Sequence, residues 1–357
     1  MAPQRNLVFL FDGTGNTPEQ AEDGLPAKTN VVKLKEALST NKANNQRTYY
    51  DEGAGTRIDE EIAGNAFGAG IQDRLCGAYR FLQKRFSDQP AFDDKLFIFG
   101  FSRGAYTARL FSWLLNHSGI PLKQEDCELG FQMFWDRDAD QAAALKKEGR
   151  FSPVDEIEML GVWDTVKSCP AIGDYNDHEL AGNVKAGYHA MSIDETRRMF
   201  PVLKWDADSR AKQLWFAGVH SDVGGGYAQS GLSDIALLWM MKCAGMLFHK
   251  LAFDDKYAGQ LAPDESADQH NEFKGKWVVL GETQRPIDAE DLVYDSVRLR
   301  IAERADYRPS NLPVNPCYSM LPDAPVEQDT KELLKSAAPK APKKNRSVKK
   351  KRATKKK

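Results

Sequence analysis

One pentapeptide, Gly100-Phe101-Ser102-Arg103-Gly104, has the spacing of a serine held on a sharp turn between a strand and a helix. In such an elbow the residues two before and two after the serine crowd together, so both must be small. The turn lifts Oγ above the sheet edge and aims the next backbone N–H, that of Arg103, at a developing oxyanion. The helix behind it adds its N-terminal dipole. The pentapeptide alone is a weak signal, because a glycine turn that binds phosphate, or does no chemistry, is spelled the same way. Its context strengthens it: the apolar run Leu96–Phe99 precedes it, and the proline-free, helix-forming stretch Ala105–Leu115 follows.

A serine hydroxyl needs a base to take its proton. In elbow sites of this kind the chain order is serine, acid, histidine. All the histidines follow Ser102. His220 closes the apolar run Leu214–Val219 and opens a glycine-rich segment, which is where the base is expected. His117 lies beyond the elbow helix, His178 and His189 in polar segments, His249 in an apolar helix and His270 in a polar insertion. Asp164 stands directly after the run Ile157–Trp163 and is the favoured acid, able to hold the imidazole in the needed tautomer. Asp222 is the rival; its ordinary role would be to accept backbone N–H groups of the glycine turn. The second oxyanion donor is expected from the turn Asp12-Gly13-Thr14-Gly15-Asn16, as the N–H of Gly13 or Thr14. Asp12 itself either fixes that turn or binds a cation. Two other function classes remain: a metal-dependent phosphoesterase built on Asp12, Asp222 and nearby carboxylates, and a non-catalytic binding protein.

These side chains need a scaffold. Leu7–Phe11, Leu96–Phe99, Ile157–Trp163 and Leu214–Val219 are continuous apolar runs, each ending in a polar or glycine-rich turn. Continuous rather than alternating strands are buried on both faces, which predicts a mostly parallel sheet. Helical spacing appears between them, in 30–38 and 71–86, with Thr29 or Asn30 as cap of the first. This alternation predicts a doubly wound, three-layer α/β fold with a mostly parallel central sheet and the four polar turns gathered at its carboxyl edge.

The chain has 357 residues. Its 41% hydrophobic and 28% charged residues are those of a folded globular protein with a sizeable core, not of a disordered or collagen-like chain. The net charge of −2 conceals an asymmetry: residues 331–357 hold 13 Lys or Arg and one acid, Glu332. From about Pro322 the chain is Pro-, Ala- and Lys-rich with almost no large apolar side chains, and is expected to be disordered. We expect a catalytic domain over 1–321, with 116–156 and 254–276 as cap or surface insertions, and a Lys-rich tail over 322–357. The tail lacks aromatic residues; its expected role is solubilising, or contact with anionic membrane or nucleic acid. Cys76, Cys127, Cys169, Cys243 and Cys317 form no Cys-x-x-Cys pair, so neither a disulfide framework nor a metal site is expected, and no cofactor. The apolar run 7–11 is too short for a leader. The longest one, 235–248, is interrupted by Lys242, too short to span a bilayer, and reads as a buried helix.

Further ordered motifs accompany the elbow: Phe11-Asp12-Gly13-Thr14-Gly15-Asn16, Tyr50-Asp51-Glu52-Gly53-Ala54-Gly55-Thr56, Gly161-Val162-Trp163-Asp164-Thr165-Val166, Ile193-Asp194-Glu195-Thr196-Arg197-Arg198, Val219-His220-Ser221-Asp222-Val223-Gly224-Gly225-Gly226-Tyr227 and Tyr307-Arg308-Pro309-Ser310-Asn311-Leu312. Together they resemble the α/β-hydrolase domain of type VI secretion phospholipase effectors, from about residue 6 to 313. The resemblance implies a serine esterase or lipase acting on acyl esters of phospholipid, with the triad on Ser102, Asp164 and His220. It also implies a protein cytoplasmic in the producing cell, exported without a signal peptide by the type VI route, and neutralised there by an immunity protein. The chain departs from the large effectors in its Lys-rich end and in showing no further membrane-binding domain.

Overall fold

The computed structural model describes residues 3–41, 45–53, 65–88, 92–167, 175–246 and 251–320. Eight strands form its central sheet: β1 (Gln4–Phe11), β2 (Gln46–Asp51), β3 (Asp93–Phe101), β4 (Met159–Trp163), β5 (Gly187–Ser192), β6 (Ala211–Phe216), β7 (Leu292–Tyr294) and β8 (Cys317–Ser319). Their spatial order is β2-β1-β3-β4-β5-β6-β7-β8, and every neighbouring pair is parallel. The order reverses between β1 and β3. A crevice opens beyond the carboxyl ends of strands at such a reversal, and ligands of α/β proteins bind there. The turn after β1 and the serine elbow after β3 flank it.

Burial explains the continuous apolar strands. Along β1, Leu7, Phe9 and Phe11 face one layer while Val8 and Leu10 face the other. The first layer holds helices α2 (Asn65–Asp88), α3 (Arg103–Ser118) and α4 (Cys127–Trp135); the second holds α1 (Asn30–Ala37) and α7 (Gly231–Met246). Between them in sequence lie α5 (Ala139–Lys147) and the short α6 (His220–Gly224). The apolar run from 235 lies in the buried helix expected there as far as residue 246, with Ala236, Leu237, Trp239 and Met240 packed under the sheet; residues 247 and 248 lie outside the described residues.

Several boundaries differ from the expected ones. The fourth strand starts at Met159, since Ile157 only bridges to Val184, and the sixth runs over Ala211–Phe216 rather than to Val219. The elbow helix starts at Arg103, immediately after the serine. Residues 116–156 form a crossover whose α4 and α5 pack beside α3, and none of them lines the reversal crevice. Residues 254–276 do reach it, through Glu272. The Lys-rich tail, Cys169, His249 and the Ala54-Gly55-Thr56 end of the second motif lie outside the described residues.

Candidate active site

The elbow carries the strain its spacing predicts. Ser102 has φ 59° and ψ −126°, a positive φ that a non-glycine residue adopts at a cost. A Cβ on Gly100 would stand 2.5 Å from the Gly104 carbonyl oxygen, and one on Gly104 would stand 2.3 Å from the carbonyl oxygens of Phe11 and Asp12. The two glycines therefore let β3, α3 and the turn after β1 approach each other. Ser102 N–H donates to the Trp163 carbonyl at 3.0 Å, tying the elbow to the strand that delivers Asp164.

Three side chains predicted far apart in sequence meet above the carboxyl edge. Ser102 Oγ lies 2.8 Å from His220 Nε2, and His220 Nδ1 lies 2.5 Å from Asp164 Oδ2. The imidazole is 4.7 Å from the Phe101 ring and 5.1 Å from the edge-on Phe200 ring, and its backbone N–H donates to Glu195 Oε2 at 3.3 Å. His220 opens a short helix rather than a loop; Asp222 Oδ2 accepts the Val219 N–H at 3.0 Å and shapes that turn. The rival acid is thus accounted for elsewhere: Asp222 Oδ1 faces His270 Nδ1 at 2.6 Å. Of the other histidines, His189 is fully buried; burial and the nearby Arg109 charge bring it down to about 3, and its Nε2 accepts the Thr165 N–H.

Asp164 sits on a turn with φ 41° and is enclosed. Its Oδ1 accepts the Ser192 N–H at 2.9 Å. Arg285, which the sequence did not single out, grips both oxygens, Nη1 to Oδ1 at 2.6 Å and Nη2 to Oδ2 at 3.0 Å. The same guanidinium donates to the Ser192 and Phe200 carbonyls. Burial alone would push the Asp164 carboxyl up, but the Arg285 charge and the His220 hydrogen bond hold it well below the usual carboxylate range. No motif surrounds Arg285 in the sequence, and its fork geometry exists only once the chain has folded.

The turn after β1 is fixed by Asp12. Its carboxylate accepts from Gly13 N–H at 2.8 Å, Thr29 Oγ at 2.8 Å and Tyr50 Oη at 2.9 Å. Thr29 Oγ1 in turn accepts the Val32 N–H and caps α1. Burial pushes the Asp12 carboxyl up to about 6 against these bonds. With its oxygens committed to protein donors, Asp12 serves the loop rather than a cation. Among the described residues no group of three or more His, Cys, Asp or Glu side chains is placed to hold a metal. The Gly13 N–H, one of the two oxyanion donors expected here, is already given to Asp12. The Thr14 side chain lies on the same turn, and Arg103 opens α3 directly after the serine.

A cleft of about 240 Å³ opens over Ser102 and His220. Its walls include Thr14 and Arg103 on the elbow side, and Arg197, Phe200, Tyr227 and Trp277 opposite. Arg197 is neutralised by Glu195, with Nε and Nη2 on its two oxygens at 2.9 and 2.7 Å. The wall is mixed: aromatic faces, one paired guanidinium, and a nucleophile at the floor.

A parallel sheet with helices on both faces, and polar side chains gathered at its carboxyl edge beside the strand-order reversal, places the chain among the doubly wound α/β proteins. More particularly, the chain belongs to the family described as "T6SS, Phospholipase effector Tle1-like, catalytic domain", whose profile matches residues 5–243. An uncharacterized protein of Saccharomyces cerevisiae, YEL023C, is 26% identical over 229 residues, covering 56% of this chain and 32% of that protein. Among solved structures, an uncharacterized protein from Pseudomonas aeruginosa matches with a TM-score of 0.46 at 20% identity, over 74% of this chain and 50% of the other. A Tle1 effector bound to the VgrG spike of the type 6 secretion system matches with a TM-score of 0.38 at 20% identity, over 63% and 52%. The chain thus spans about a third of the yeast relative and about half of each solved chain. Among the described residues no helix is long and apolar enough to cross a membrane.

Proposed function

We propose that this protein is a serine hydrolase of lipid acyl esters, working through a Ser102–His220–Asp164 triad and an acyl-enzyme. The observation that carries the reading is the unbroken hydrogen-bonded line from Ser102 Oγ through His220 to Asp164. Family membership supplies the lipid.

His220 Nε2 takes the Ser102 proton as Oγ attacks the ester carbonyl, and the carbonyl π electrons move onto oxygen. The Arg103 and Thr14 N–H groups donate to that oxyanion. As the tetrahedral intermediate collapses, the C–O bond to the alcohol breaks and His220 returns the proton to the leaving oxygen. Water then repeats the sequence on the acyl-enzyme, giving the free acid and regenerated Ser102. Asp164 keeps Nδ1 protonated, so that Nε2 is the basic nitrogen. Export by a type VI route and protection of the producer by an immunity protein belong to the same proposal, as does contact of the Lys-rich tail with anionic membrane.

The test is Ser102→Ala assayed on p-nitrophenyl esters and on phospholipid. Activity should fall by about three orders of magnitude or more, and a fluorophosphonate should label wild type but not the variant. A variant that turns over ester at the native rate would overturn the assignment.

A further inference from the structure

We propose that the lip of the Ser102 cleft is a docking surface for an anionic lipid bilayer, formed by Met199, Val278 and Val279 within a rim of Arg198, Lys274 and Lys276. The inference rests on the lipid-ester reading above and adds where the protein meets its substrate phase.

The short helix Lys276–Leu280 creates the surface. Trp277 and Leu280, one turn apart, pack inward with Phe200 and Val166. Val278 and Val279 point the other way and are 55% and 88% exposed. Met199, 37% exposed, lines the same cleft as Trp277 and Ser102. The two segments are joined: Arg198 N–H donates to the Gly281 carbonyl at 3.1 Å, and Arg197 bridges to Glu282. Large apolar side chains grouped outside a cleft mark a contact surface rather than scattered exposure.

Charge selects the occupant. Arg198, Lys274 and Lys276 are all exposed around these apolar side chains, and the Lys276 ammonium sits 4.9 Å from the Trp277 ring. Within 273–283 the sole acid is Glu282. Glu272, just before, is turned to Tyr227, whose hydroxyl it accepts at 2.5 Å. Apolar tips surrounded by long cationic stems fit a headgroup layer, where the stems reach phosphates and the tips enter the acyl boundary. Docked there, the cleft mouth opens against the layer that holds the esters.

The full chain, tail included, should be tested on vesicles of phosphatidylglycerol with phosphatidylethanolamine. Val278→Ser/Val279→Ser should lower vesicle pelleting about tenfold at about 0.5 M salt, which screens the tail but not apolar insertion. Lys274→Ser/Lys276→Ser should lower it at about 0.1 M salt and less at higher salt. Both variants should hydrolyse a soluble short-chain p-nitrophenyl ester as wild type does. A valine variant that pellets like wild type overturns the proposal; so does one that instead dissolves a dimer seen by gel filtration. Pelleting is read apart from turnover. An inactive wild type that still pellets through these valines would therefore sink the hydrolase reading and uphold the docking one.

Discussion

Arg285 shows what a single buried residue adds to the site. Its guanidinium grips the carboxylate that also meets His220, so removal leaves a buried charge uncompensated. The Asp164 carboxyl is depressed in the folded protein, so the stability it contributes is present above its unfolded value. That stability is lost as pH falls through the folded one. Arg285→Gln should raise the Asp164 carboxyl, cost about 3 kcal/mol in denaturant unfolding, and move the acid limb of the kcat/KM profile to higher pH. Arg285→Lys should restore charge without the fork and fall between. Asp12 has the opposite sign. Its carboxyl is raised to about 6, so the stability from its neutral form is present below the usual carboxylate value and lost as pH rises through about 6. Asp12→Asn should flatten stability against pH between about 4 and 6. Ser102, Asp164 and His220 could be read in advance because each ends an apolar run. Arg285 could not, since neither its partner 121 residues earlier nor its burial leaves a local pattern.

At the scale of elements, the elbow works because three backbones come close at Gly100 and Gly104, and a fourth contact supports the base. A Cβ on Gly224 would stand 1.9 Å from the Phe101 ring, which itself packs at a tilt against the His220 imidazole. Gly104→Ala should cost about 2 kcal/mol or more, because the clash is with backbone that cannot move aside. Gly224→Ala should cost at least as much, because the Phe101 ring is buried and cannot swing aside, and should also lower kcat by tilting the imidazole; thermal unfolding and kcat measured together read both effects. The strands were legible because burial on both faces leaves continuous apolar runs, as in Leu7–Phe11. The helix at His220 was not. Its glycines read as loop, and what winds it is Asp222 accepting the Val219 N–H together with Asn30 Nδ2 donating to the Val223 carbonyl.

Over the whole molecule, strand–helix alternation foretold an α/β sheet with its polar turns on one edge, but not the order β2-β1-β3 that puts Asp12 beside Ser102. The outer strands β7 and β8, three residues each, were too short to read. They matter because the segment leading into β7 carries Arg285, beyond the family-matched residues 5–243. The matched segment alone holds Ser102, Asp164 and His220 yet lacks the guanidinium that, with His220, holds the acid's carboxyl low. During translation the ribosome releases the nucleophile, the acid and the base well before Arg285. A nascent chain stalled short of that residue should therefore stay unlabelled by a fluorophosphonate, while the finished chain reacts. Under the proposed lipid-ester hydrolysis, a chain not yet extended past Arg285 would be latent toward the membrane of the cell that makes it.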